Sequence, residues 1–390
     1  MSERTVRLQS SWSYYRVDDG GLELACLPKG LRLPLAPDTK VERALDALAE
    51  GLPEDNLTAS LALASGLSER QSESLIAQLN ENGGLVHRHP SSDLGALDGH
   101  SLYDRQIRFL SFYEDAMISG LELNHNLQDR TVVIPGIGGL GGWIALLCAR
   151  LGVRRIIGID PDRVELSNLH RQILYANADI GELKVVAAER RIKEVDPDIE
   201  YVGHPVFISK SDDVLPIIEG ADLVINDFPL LPSFMQASKS VATAALQARV
   251  PCLNMPMAQC LGPLTVPGET ACIDCAMDQL RSKFQIDYAL RANTPVGARN
   301  GLLGALAPRQ AIQGGFAAWE ALRFLSGIDR PPTLDGIAFV DIGAYANHQF
   351  LRLTRNDKCP TCGGIDPVAI GTATVLGSTA SPSPDAWRRN

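Results

Sequence analysis

The sequence predicts a doubly wound α/β domain with a mostly parallel sheet, preceded by a winged-helix-like α+β domain and carrying a four-cysteine knuckle. Three observations predict it. First, an apolar run from Thr131 to Ile134 leads into Gly136-Ile-Gly138-Gly139-Leu-Gly141 and an apolar helix pattern from Gly142 to Leu151; a second run, Arg155 to Ile159, then ends on Asp160. Second, residues 1 to about 90 hold short strand-like runs followed by three short helical patterns. Third, Cys272-Ile-Asp-Cys275 and Cys359-Pro-Thr-Cys362 are two Cys-x-x-Cys pairs over eighty residues apart.

The first observation locates a ligand. A short, wholly apolar run reads as a strand buried on both faces. The glycines after it allow a tight turn and let backbone N–H groups approach a phosphate at a helix N-terminus. Asp160, ending the second strand, is placed to accept hydrogen bonds from ribose hydroxyls. So far the pattern also fits a nicotinamide dehydrogenase. The residues beyond shift the balance. Asp160-x-Asp162, then Ser167-Asn168-Leu169-x-Arg171-Gln172, then Lys184 place two fixed cations and an amide just past the ribose acid. Such cations suit a triphosphate and its developing charge; beside a nicotinamide they have no evident task.

The N-terminal stretch differs in kind. Ser13 to Arg16, Leu22 to Leu27 and Leu31 to Leu33 read as strands separated by turns, with Pro34 ending the third. Helical patterns cover Val41 to Leu48, Leu57 to Ala64 and Ser68 to Asn80, the last with Ser68 as N-cap and Gly83-Gly84 behind it. Leu85-Val-His-Arg88 has the place of a wing strand. A winged helix suggests DNA, but residues 1–95 hold nine Lys/Arg against fourteen Asp/Glu. That net charge of −5 is the wrong sign for a phosphate backbone. Peptide recognition by strand addition and a packing or dimerisation role both stay open. Residues 91–100 are polar and turn-rich, so they read as a linker.

Composition sets outer bounds. A chain of 390 residues, 45% hydrophobic, can bury a large core and suggests two or three domains. A net charge of −10 argues against general binding to nucleic acid or anionic membrane. MSERTVRLQSSW lacks the apolar core of a signal peptide, and no uncharged run has the length of a membrane helix, so the expectation is a cytoplasmic enzyme. Two Cys-x-x-Cys knuckles, Cys272/Cys275 and Cys359/Cys362, make a closed Cys₄ site for structural Zn²⁺. Redox dithiols would instead want one pair at a helix N-terminus after a strand. Of the other cysteines, Cys148 and Cys252 read as buried, and Cys260 is the one candidate nucleophile.

Taken in order, these motifs resemble the ThiF family, the Rossmann-like adenylating enzymes related to ubiquitin-activating enzymes. The resemblance covers the glycine loop, Asp-x-Asp, Asn-Leu-x-Arg-Gln, the lysine, the cysteine pairs and an upstream Tyr103-Asp-Arg105-Gln106-Ile107, roughly Ser101 to Gly364. It implies ATP and Mg²⁺ as ligands and a homodimer in which Arg105 reaches the partner subunit's nucleotide. Gly136, Gly138, Gly139, Gly141, Asp160, Asp162, Asn168 and Gln172 would then hold ATP, while Arg171 and Lys184 would act in catalysis. The family usually places an aspartate beyond the strand Ala221 to Asn226 to hold Mg²⁺. The aligned slot here holds Pro229, and Asp227, two residues earlier, is the candidate for that task. A segment from Arg281 to Arg299, with Arg291 and Arg299, corresponds to a crossover loop over the site.

Members that modify ribosomally made peptides carry an extra N-terminal domain of this kind, and the layout is most similar to those of pantocin A biosynthesis. The resemblance therefore implies a precursor peptide as partner, its leader bound by residues 1–90. A carboxylate would be adenylated, with a glutamate side chain and intrapeptide Glu–Glu cyclisation as the specific expectation. Microcin C-type adenylation of a peptide C-terminus, activation of a sulfur-carrier or ubiquitin-like C-terminus, and a non-catalytic peptide binder are the alternatives. Residues 365–390, rich in Thr, Ser and Pro, read as a disordered tail.

Overall fold

A computed structural model of the chain describes residues 4–18, 20–26, 30–88, 102–114, 118–229, 234–256, 260–284, 305–340 and 349–367. The linker 91–100, the tail beyond 367 and most of the crossover segment lie outside these residues. Two compact units are present, residues 1–125 and 126–390.

The first unit contains β1 (Thr5–Leu8), β2 (Trp12–Arg16), β3 (Leu22–Cys26), β4 (Leu31–Leu35), α1 (Thr39–Glu50), β5 (Leu52–Pro53), α2 (Leu57–Ser65), α3 (Glu69–Glu81), β6 (Leu85–Arg88), α4 (Asp104–Leu110) and the start of α5 (Gly120–Gln128). Strands β2-β3-β4 form one antiparallel sheet, and β5-β1-β6 another. Leu22, Leu24 and Cys26 alternate onto one face of β3. Val41, Ala44, Leu45 and Leu48 line one stripe of α1, and both sets enter a single core with Leu61, Leu75 and Leu79. Helix α1 starts on Asp38, which accepts from Lys40 N at 2.9 Å, and α3 starts on a Ser68–Gln71 capping box.

This unit departs from the sequence reading in two places. The third strand runs through Pro34 to Leu35, because β4 is an edge strand where a missing N–H costs no ladder bond. The wing strand β6 pairs with β1, a strand the sequence reading missed, in the register Leu8↔Leu85.

The second unit is built on β7 (Thr131–Pro135), α6 (Gly139–Arg150), β8 (Arg155–Ile159), α7 (Lys184–Val195), β9 (Glu200–His204), α8 (Leu215–Ile218), β10 (Leu223–Asn226), α9 (Met235–Gln247), β11 (Cys252–Asn254), β12 (Cys260–Leu261), β13 (Leu264–Thr265), α10 (Ile273–Phe284), α11 (Ala307–Ser326), β14 (Gly336–Phe339) and β15 (Gln349–Arg352). The main sheet has the order β13-β11-β10-β7-β8-β9. All neighbours pair in parallel except β13, which closes one edge antiparallel to β11. Strands β7 and β10 are buried almost throughout, as runs covered on both faces must be. Strands β12, β14 and β15 form a separate antiparallel sheet. The fold class is as the sequence predicts: a doubly wound, mostly parallel sheet, a winged-helix-like α+β unit and a four-cysteine knuckle.

Candidate active site

Strand order reverses between β7 and β10. The chain winds outward through β8 and β9 on one side and through β11 on the other. At such a switch point the loops leaving the carboxyl ends diverge and open a crevice. A cavity of about 540 Å³ lies there. Among its lining residues are Gly136, Gly138, Gly139, Asp160, Asp162, Arg171, Lys184 and Asp227, most of the set read from sequence.

The glycine loop is held from below. Asp160 accepts from Ile137 N at 3.0 Å with one oxygen and from Asp162 N at 2.9 Å with the other. A carboxylate offers about four lone-pair sites, so acceptor capacity remains. Tyr175 donates its hydroxyl to the Ile137 carbonyl at 2.5 Å. Gly136 has φ +87°, a left-handed conformation that glycine adopts without strain. A side chain at Gly141 would strike the Gly136 carbonyl, so the turn of the loop requires glycine there too.

Lys184 is only 5% exposed, and it opens α7 with its ammonium 2.7 Å from Asp162 and 3.7 Å from Asp160. Burial raises the carboxyl of Asp160 above its ordinary range, and the Lys184 charge opposes that. Asp227 follows β10. Its carboxylate lies against the glycine loop, with Oδ1 3.2 Å from where a Cβ of Gly136 would sit. Burial, then the charge of Asp160, pushes it up to about 8, against N–H bonds from Gly141 and from its own backbone. A half-buried acid close enough to the buried Asp160 to feel its charge offers the oxygen donors that a hard divalent cation such as Mg²⁺ takes.

Not every predicted residue faces the cavity. Asn168 is buried and caps a short turn, accepting from Glu165 N at 3.1 Å. Gln172 is 4% exposed and lies behind Gly138, with Nε2 3.9 Å from where its Cβ would be. Gly141 acts by close packing. Arg171 donates to the Ser167 carbonyl at 2.7 Å and keeps an exposed head. Arg105 lies on α4 in the first unit, exposed and without an ion pair among the described residues. Arg291 and Arg299 lie outside the described residues.

The sequence reading missed Phe207, Ile208 and Phe234 on one wall and Gln310 on another. Phe207 is 75% exposed on the loop after β9, and an exposed aromatic in Pro205-Val-Phe-Ile208 was a usable signal. Gln310 gave none.

The four knuckle cysteines are buried, with their Sγ atoms all within 4.8 Å of one another. Cys272 and Cys359 lie 3.7 Å apart and Cys275 and Cys362 3.6 Å. A zinc–thiolate tetrahedron with bonds of about 2.3 Å has edges of about 3.8 Å, so the donor set fits Zn²⁺. The site is closed and distant in sequence from the glycine loop, which makes a structural role the fitting one. Cys260 is buried on β12 and its thiol is pushed up to about 12 by desolvation, the reverse of what a nucleophile needs. Cys148 and Cys252 are buried in the same way.

The ThiF family profile matches residues 103–361, well over half of the chain. The chain belongs to the ThiF family. It is an ATP-dependent adenylating enzyme of that type, and the reaction class is adenylation of a carboxylate. A sulfur carrier protein adenylyltransferase from Thermus thermophilus is 30% identical over 248 residues, covering 63% of this chain and 86% of that protein. The Escherichia coli protein MccB, in a crystal structure with ATP, has a TM-score of 0.74 at 19% identity, covering 92% of this chain and 100% of that one. PaaA, in a selenomethionine crystal structure, has a TM-score of 0.65 at 21% identity, covering 89% of this chain and 99% of that one. At those identities the structural likenesses concern the fold. No helix among the described residues is long and apolar enough to cross a membrane.

Proposed function

We propose that this ThiF-family enzyme activates a carboxylate of a ribosomally made precursor peptide, whose leader docks on the N-terminal unit. One observation carries the reading. The sulfur-carrier adenylyltransferase matches 63% of the chain, whereas the MccB structures, one of them solved with AMPCPP and MccA, match 92%. The ThiF profile begins at residue 103 and leaves out most of the first unit, which supports a role for that unit beyond the shared adenylating core. Its β2-β3-β4 sheet has two free edges among the described residues, the surface that strand addition uses.

In the reaction, an oxygen of the substrate carboxylate attacks the α-phosphorus of ATP. The bond to the β-phosphate bridging oxygen breaks, and pyrophosphate leaves with the electron pair. The product is an acyl-adenylate, a far better electrophile than a carboxylate. Asp160 accepts from the ribose hydroxyls. Lys184, Arg171 and Arg105 of the partner subunit in a homodimer stabilise charge on the departing pyrophosphate. Asp227 is the residue that would hold Mg²⁺, which neutralises the triphosphate when bound. Cys272, Cys275, Cys359 and Cys362 would hold Zn²⁺, which would tie α10 to the chain after β15.

The activated group is a glutamate side chain, attacked afterwards by a carbon of a neighbouring glutamate, as in pantocin A biosynthesis. Peptide-dependent exchange of pyrophosphate into ATP tests the adenylation. Mass spectrometry of the product tests the rest: water loss within the peptide supports cyclisation, whereas retained AMP or a phosphoramidate points to activation of the peptide C-terminus.

A further inference from the structure

We infer that Tyr175 is a positioning residue for nucleotide binding: its hydroxyl fixes the Ile137–Gly138 peptide so that the Gly138 N–H, and not the Ile137 carbonyl, faces the phosphate chain. The inference rests on the reading of the cavity as an ATP site and adds a residue that does not itself line that cavity.

Ile137 is gripped at both ends. Its N–H donates to Asp160 at 3.0 Å, and its carbonyl accepts from the Tyr175 hydroxyl at 2.5 Å. Tyr175 is 6% exposed, and burial pushes its hydroxyl above the ordinary range, so it keeps its proton and donates. It ends a short stretch that packs under the glycine loop. Gln172 lies behind Gly138, and Leu174 lies against Gly142.

The direction of one peptide plane follows. In a trans peptide the carbonyl of one residue and the N–H of the next point in opposite directions. With the Ile137 carbonyl turned toward buried Tyr175, the Gly138 N–H is turned away from it. Gly138 lines the cavity, and its N–H has no acceptor among the described residues. Gly139, which also lines the cavity, opens α6, so the Gly138 N–H adds a donor beside that helix's N-terminus. A phosphate brought there by ATP would supply the missing acceptor.

The local backbone alone does not hold this orientation. The Asp160 bond fixes the preceding plane, Gly136–Ile137, and not this one. Reversing the Ile137–Gly138 plane alters ψ of Ile137 and takes φ of Gly138 from −87° to a positive value, which glycine adopts without strain. The reversed plane would aim the Ile137 carbonyl at the anion and withdraw the N–H. Tyr175 opposes the reversal, because it would break the bond and leave a buried hydroxyl without a partner.

The test compares the full chain, wild type and Tyr175→Phe. Calorimetry gives the affinity for Mg-ATP, and competition against ATP gives the affinity for adenosine. Tyr175→Phe should weaken ATP about tenfold, the scale of leaving one buried carbonyl unpaired. Adenosine, which has no phosphate, should stay within about twofold of wild type. Thermal melts report folding. ATP affinity unchanged in the folded variant, even with a lowered melting temperature, would make the role merely structural and overturn the inference. ATP and adenosine weakened alike would overturn it too. A crystal structure of the wild type with a non-hydrolysable ATP analogue serves if the variant misfolds. Gly138 N within about 3 Å of a phosphate oxygen would support the inference; Gly138 N turned away from the phosphates would overturn it. Failure of the wild type to bind ATP would instead bring down the nucleotide reading and this inference with it.

Discussion

Replacing Asp227 with asparagine should stabilise the nucleotide-free protein and abolish Mg²⁺-dependent turnover. The carboxyl is pushed from 3.8 to about 8, first by burial and then by the charge of Asp160. Between those values the folded protein holds a proton that the unfolded chain releases. Stability therefore falls as pH rises from about 4 to about 8, by up to about 1.4 kcal/mol per pH unit, and is level above that. Taken whole, the shift corresponds to about 4 kcal/mol at pH 7. Asparagine has the same shape, still accepts from Gly141 N–H and carries no charge. Urea unfolding in chelator should place the variant above wild type, with a gap that widens severalfold from pH 5 to pH 8. Saturating Mg-ATP should reverse the order, because only the wild type gains the full binding energy. A gap that is absent or level with pH would show that Asp227 is solvated as an ordinary surface acid. Full turnover in the variant would remove its metal role.

The remaining expectations are narrower. Cys272→Ser or Cys359→Ser should release zinc and leave unstable or insoluble protein, since metal binding and folding are coupled at such sites; elemental analysis finding no zinc in fresh wild-type protein would refute this. Lys184→Met should lower turnover about a hundredfold while ATP affinity weakens far less, because the lost charge matters most as pyrophosphate departs; equal losses in both would make Lys184 a binding residue only. On β4, Pro34 must turn its nitrogen outward, so Arg32, two residues back, presents its N–H to the same free edge. Arg32→Pro should then cost roughly tenfold in precursor-peptide affinity, the scale of one or two backbone bonds, and leave ATP binding unchanged; undiminished peptide affinity would show that this edge is not the docking strand.

The catalytic half was legible because its signals are local. The strand, the glycines, the acid at Asp160 and the cations beyond it lie within one stretch of chain, and together they narrow the ligand more than any one does alone. Boundaries were less legible. Helix α6 begins at Gly139 rather than Gly142, because glycines read as loop although the first turn of this helix must let the Gln310 side chain approach. Helix α11 begins at Ala307, with Pro308 inside its first turn, where no N–H is needed. What depends on distant partners could not be read at all. Strand β1 is four residues long and acquires its meaning from β6, paired at Leu8↔Leu85. Gln310 lines the cavity because it packs over Gly139, on another helix.

Asp227 lies between these cases, and strand register explains it. Val133 of β7 pairs in parallel with Val224 of β10, so three residues on, Gly136 and Asp227 come level. Any side chain at position 227 must therefore meet the glycine loop, as the 3.2 Å approach of its carboxylate shows. Position 229 lies further out, on the loop leaving the sheet. An acid there would reach the phosphates from the solvent side, whereas an acid at 227 is brought into drier surroundings beside a second carboxylate, Asp160. Two acids in one low-dielectric site cannot both stay ionised without a counter-charge. Lys184 supplies one positive charge, and its closest contact goes to Asp162 at 2.7 Å rather than to Asp160 at 3.7 Å. Protonation of Asp227, which burial and the charge of Asp160 favour, makes up the difference. A divalent cation arriving with the triphosphate does so with charge to spare, and nucleotide binding should then expel that proton. If Asp227 holds Mg²⁺ as proposed, placing the acid two residues inward couples its ionisation to cation binding.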